Sequence, residues 1–169
     1  IVRGEIMELD NEYKKLVEHI LKSEEFMNLK KCEHHGITRF DHSLKVSYQA
    51  YKFAKKHKMD YKSVAIGGLL HDFFDSENVS LKEKFISTFT HPLKAEINAL
   101  EKFNVNTKES DIIRSHMFPL NLVVPKYKES WLVSLYDKKV ALSEFGIKFG
   151  YKLRYVSNLS VLLLFNFIK

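Results

Sequence analysis

The chain has 169 residues and very little of three residue types: one cysteine (Cys32), three prolines and six glycines. A lone thiol excludes an internal disulfide and a thiolate zinc site, which fits a reducing compartment, so a cytoplasmic location is expected. So few prolines and glycines leave no low-complexity linker and few of the turns that an all-β fold requires. No apolar run approaches the roughly 18–20 residues that cross a bilayer. The apolar tail, "VLLLFNFI" (Val161 to Ile168), is far shorter and reads as a packing or partner-binding helix end. The first residues, "IVRGEIMELDNEYKKL", are charged throughout and lack the apolar centre of a secretory signal. No basic stripe is interleaved with aromatics, so neither a nucleic acid nor a membrane is an expected partner.

What is present is helical periodicity. The length suits one domain, residues 1–169, with enough apolar content for a real core, and the fold class expected is all-α. Leu9, Tyr13, Leu16, Val17, Ile20 and Leu21 space a first amphipathic helix. A second begins near Asp41 with His42, Val46, Gln49 and Phe53 on one face, and a third runs from about Tyr61 to Phe74. A polar, irregular stretch, "DSENVSLKEKFISTFT", precedes a helix expected to start at Pro92, because a missing N–H costs nothing at a first helical position. Asn106 and Glu109 form a capping pair for the next helix, which carries Ile112, Ile113 and His116. Pro119 and Pro125 bound a loop, and further helices are expected over Trp131 to Phe145 and Tyr151 to Ile168. That last apolar helix is available either to seal the monomer or to join a homodimer.

The third helix raises the functional question. "GGLLHDFFD", Gly67 to Asp75, places His71 and Asp72 in the most apolar short segment of the chain. A buried carboxylate is normally paired, hydrogen-bonded or bound to a metal. His42, His91, His116 and Asp137 also fall at inward-facing helical positions or helix ends. A single such histidine is more often a hydrogen-bonded core residue than a ligand. Convergence of six nitrogen and oxygen donors without cysteine changes that balance. Imidazole with carboxylate suits a divalent transition metal, Fe, Mn, Zn, Ni or Co. A cation would neutralise the pair in its apolar surroundings. The net charge of +6, spread in clusters such as Lys30 with Lys31 and Lys138 with Lys139, favours anionic ligands such as phosphates.

The order His42, His71-Asp72 and Asp137 resembles the H…HD…D signature of the HD superfamily of metal-dependent phosphohydrolases. The resemblance covers about Gly36 to Glu144 and implies a single helical bundle with its HD core at about 36–145. His91 and His116 match the extended pattern of members that hold two metals, among them the bacterial diadenosine tetraphosphate hydrolases, and Arg39 matches the R-x-x-H spacing found there. The resemblance implies that His42, His71, Asp72 and Asp137 hold one ion, and that Asp72 bridges to a second held by His91 and His116. It also implies hydrolysis of a small phosphorylated substrate, a nucleotide or related ester, by a metal-activated water that Asp72 orients. Asp75, where relatives carry a charged residue, is a candidate general acid. Arg39, Lys138 and His35 are candidate substrate ligands. Two other readings belong to the same ligand set: a di-iron oxygenase of the HD type, and a nonenzymatic metal-containing ligand sensor.

Overall fold

A computed structural model describes residues 8–31, 33–34, 37–74 and 81–146. Helix α1 (Asn11–Leu21) is capped by Asp10, whose carboxylate accepts from the Tyr13 amide at 2.8 Å, and it buries Tyr13, Val17 and Ile20. A short helix α2 (Glu24–Met27) and a 3-10 turn (Asn28–Lys31) lead to a two-residue antiparallel pair, β1 (Glu33–His34) with β2 (Ile37–Thr38). Thr38 then caps α3 (Arg39–Lys56) by accepting from the Asp41 amide. There follow α4 (Tyr61–Leu70), α5 (Leu81–Phe103), α6 (Thr107–Ser115) and a last described helix, α7, over 128–146. The all-α expectation holds, with the small β1–β2 pair as the only strands among the described residues.

Helix α4 is central because it carries no side chain at two positions where neighbours come closest. A Cβ at Gly68 would sit 3.1 Å from the Ser47 Cα of α3, and one at Gly67 would sit 2.9 Å from Ile112 of α6. The Gly67-Gly68 pair before His71 therefore serves close helix packing on two sides. Two buried apolar clusters flank this centre. One joins Tyr13, Ile20, Phe26, Tyr51, Leu69 and Ile113, the other Val46, Val64, Ile112, Val133 and Val140. A buried hydrogen-bond chain from Tyr13 Oη to Ser47 Oγ (2.7 Å) and on to the Ala65 carbonyl (2.6 Å) links α1, α3 and α4.

Three expectations need correction. The buried face of α3 is made by His42, Val46, Ala50, Tyr51 and Ala54, whereas Phe53 is exposed and stacks on His57 instead of entering the core. The buried face also takes in the small Ser43 and Ser47, and Ser47 lies against Gly68 and the Ala65 carbonyl of α4. Helix α4 ends at Leu70, four residues before Phe74, because the His71 side chain takes over the Gly68 carbonyl and turns the chain. Helix α5 begins at Leu81 and runs through Pro92. Leu81, Phe85 and Phe89 recur every four residues in sequence, and proline's fixed φ is helical, so the lost N–H does not end the helix. Asp75 and the helix expected over Tyr151 to Ile168 lie outside the described residues, as does His35.

Candidate metal centre

Each expected ligand in the described residues comes from a different place, and they meet at the end of α4. His42 lies in the first turn of α3, His71 caps the C-terminus of α4, and Asp72 follows in the turn. His91 lies inside α5, His116 caps the C-terminus of α6, and Asp137 projects from α7. All six are buried.

The two capping histidines share one device. The last carbonyls of a helix lack an intrahelical partner, and His71 Nδ1 donates to the Gly68 carbonyl at 2.8 Å while His116 Nδ1 donates to the Ile113 carbonyl at 2.8 Å. With Nδ1 engaged in this way, each ring turns its Nε2 toward the cluster, as metal-bound histidines commonly do. Burial, reinforced by neighbouring His71, pushes the His116 pKa down to about 3, so this ring is neutral. His71 Nε2 is buried and makes no hydrogen bond among the described residues; Asp137 Oδ1 stands at 3.6 Å and Asp72 Oδ2 at 3.9 Å.

The remaining distances outline two overlapping groups, His42, His71 and Asp137 and, with His71 again in reach, His71, Asp72 and His116. In one, His42 Nε2 lies 3.1 Å from Asp137 Oδ1, with His71 alongside. In the other, His91 Nε2 lies 3.0 Å from His116 Nε2, and Asp72 Oδ1 lies 3.3 Å from His91 and 3.6 Å from His116. Asp72 thus turns one oxygen toward His71 and the other toward the His91–His116 pair. Ligand atoms that share an ion at about 2.0–2.1 Å lie about 3.0–3.4 Å from one another. The donor set, its spacing and the buried acceptor on His71 therefore fit divalent metal binding.

Glu144 was not foreseen. It is 4% exposed and accepts from His42 Nδ1 at 3.0 Å. Its signal is present in the pattern, because it stands two helical turns after Asp137 and so on the same face. Burial alone would lower the His42 pKa, but the hydrogen bonds to Asp137 and Glu144 override it and raise it to about 10. Burial would raise the Asp137 and Glu144 carboxyls, yet the imidazoles of His42 and His71 beside Asp137, and of His42 beside Glu144, hold both below the usual carboxylate range.

A model of the HD domain family matches residues 39–142, well over half of the chain. The chain belongs to the HD domain family. No curated protein and no solved structure matches it. In this HD domain the candidate substrate ligands Arg39 and Lys138 make internal contacts. Arg39 is buried, donates from Nη1 to the Phe74 carbonyl at 2.6 Å and lies over the Phe74 ring at 3.9 Å, and that ring stacks on His91. Lys138 Nζ donates to the His116 carbonyl (2.9 Å), the Ser134 carbonyl (3.1 Å) and Ser134 Oγ (2.8 Å). Burial lowers the Lys138 pKa, partly offset by Asp137. A cation at the carbonyl end of α6 is also where the helix dipole favours it. No helix among the described residues is long and apolar enough to cross a membrane.

Proposed function

We propose that this HD domain is a metal-dependent phosphohydrolase acting on a nucleotide or a related phosphate ester or anhydride, with two divalent ions in its centre. The observation that supports it most is Asp72, whose two oxygens face two separate imidazole groups, the arrangement a bridging carboxylate needs. Bound divalent cations supply a water of lowered pKa and neutralise phosphoryl oxygens. His42, His71 and Asp137 hold one ion and His91 and His116 the other. Asp72 joins them and orients the water. Arg39 and Phe74 keep the turn after the HD pair against His91, while Lys138 holds the end of α6 that carries His116. In this reading Asp75 supplies the proton to the leaving oxygen and His35 serves as a substrate ligand. The partner is a small phosphorylated molecule.

The test is elemental analysis of protein purified without chelator, followed by phosphate release from dinucleoside polyphosphates, mononucleotides and phosphomonoesters with added Mn²⁺, Fe²⁺ or Co²⁺. About two ions per chain and metal-dependent phosphate release are expected, with Asp72→Asn lowering turnover by about 10²–10⁴-fold. Oxygen-dependent turnover of an iron-loaded sample without phosphate release would establish the oxygenase chemistry instead. A protein that takes up no metal on reconstitution removes both.

A further inference from the structure

We propose that Glu144 is a positioning residue for this centre, fixing the His42 ring so that Nδ1 carries its proton and Nε2 faces the ligand cluster. The inference rests on the reading of the cluster as a metal centre, and it adds a residue beyond the family match, which ends at position 142.

The need for such a residue follows from where His42 sits. His71 and His116 cap helix C-termini, where carbonyls three residues back are unpaired and fix Nδ1. His42 lies in the first turn of α3, where the carbonyls are already taken by the helix's own amides. An acceptor for its Nδ1–H must therefore come from another element. Helix α7 supplies it. Asp137 and Glu144, seven residues and two turns apart, grip the imidazole from both sides, Oδ1 3.1 Å from Nε2 and Oε2 3.0 Å from Nδ1. The second Glu144 oxygen accepts from Lys45 Nζ at 3.3 Å, one turn further along α3. Both carboxylate oxygens are thus engaged, and the ring has one orientation. An outer carboxylate of this kind orients a histidine ligand and raises its basicity.

The experiment measures Zn²⁺ affinity of the full chain by competition with a chromophoric chelator, and the His42 ring nitrogens of the Zn²⁺-loaded protein by ¹⁵N NMR. Glu144→Ala should weaken the affinity by about 10–100-fold, the usual effect of losing such a partner. Glu144→Gln keeps an oxygen that accepts from Nδ1–H, so it should recover most of that loss and keep His42 as a single Nδ1–H tautomer. Unchanged affinity in Glu144→Ala with the same His42 tautomer overturns the proposal and leaves the metal centre standing. A loss in Glu144→Gln as large as in Glu144→Ala also overturns it, because the residue then acts through its charge or through folding. A wild-type chain that binds no Zn²⁺ overturns the centre and the proposal together.

Discussion

Adding one methyl group at Gly67 tests how closely the ligand-bearing helices are held. Its Cβ would lie 2.9 Å from both Cβ and Cγ2 of Ile112 and 3.1 Å from Cδ1. Ile112 Cβ is fixed to the backbone of α6, so no rotamer change clears it. Helices α4 and α6 must part by about half an ångström to restore an ordinary carbon contact of about 3.5 Å. Overpacking of this kind costs about 1–3 kcal/mol, against a gain of up to about 1 kcal/mol from replacing glycine by alanine in a helix. The net expectation for Gly67→Ala is a loss of about 1–2 kcal/mol, which in a chain of this size lowers Tm by about 2–8 °C. His71 and His116 terminate these two helices, so the same shift should weaken metal binding. The assay is a double-mutant cycle in urea with Ile112→Gly, which removes that Cβ as well and alone should cost about 3–6 kcal/mol. In that background the methyl enters space instead of a side chain, and Gly67→Ala should become neutral or stabilising, a coupling of at least about 1 kcal/mol. Additive effects, or a Gly67→Ala protein more stable than wild type, would refute the close-packing argument.

The metal-free protein should be most stable near pH 6–7. His42 has a folded pKa of about 10, above its ordinary 6.5, so its contribution is fully present below pH 6.5 and lost as pH rises through about 10; His116, lowered to about 3, disfavours the fold increasingly as pH falls below 6.5. Urea midpoints in chelator that keep rising from pH 7 to 9.5 would contradict this. Tyr13→Phe removes the donor to Ser47 in the buried chain between α1 and α3 and should cost about 0.5–1.5 kcal/mol, read from the urea midpoint. Lys138→Met should lower stability by about 1–3 kcal/mol through loss of its bonds to the His116 and Ser134 carbonyls. Unchanged stability with a raised KM for the phosphate substrate would place Lys138 in substrate binding instead.

The buried cluster was legible because its members are polar residues at apolar positions, and His71-Asp72 in "GGLLHDFFD" is the extreme case. The capping of α6 by Asn106 and Glu109 was legible for a local reason, since both partners lie within one turn. What failed was rotation and length. The buried face of α3 includes the small Ser43, Ser47 and Ala50, with Ser47 against the glycine of α4, a tertiary fact that the helical spacing of Gln49 and Phe53 does not report. Pro92 marks a helix start by propensity, yet the helix around it continues, so proline's missing N–H was outweighed by the periodic residues before it. Glu144 was hidden by its chemistry: a glutamate near a helix end reads as solvent-exposed, and only its two-turn spacing from Asp137 marks it as facing inward.

The His42 contacts bear on how such a centre can exist before any ion arrives. Asp72, Asp137 and Glu144 are three buried carboxylates in one small volume, and burying them unpaired would be costly. In the metal-free chain the compensating charge lies on His42, which is protonated through neutral pH and donates to Asp137 and Glu144 at once. A divalent cation bound beside Asp137 would take over that role, displacing the His42 Nε2 proton while the Nδ1 proton stays hydrogen-bonded to Glu144. Metal uptake would then replace one positive charge by two within a framework already assembled by α3 and α7, so little ordering entropy would oppose binding. The exchange also requires that metal affinity rise with pH as the Nε2 proton becomes easier to displace. A centre in which His42 were neutral before metal arrived would bind with no such dependence on that proton.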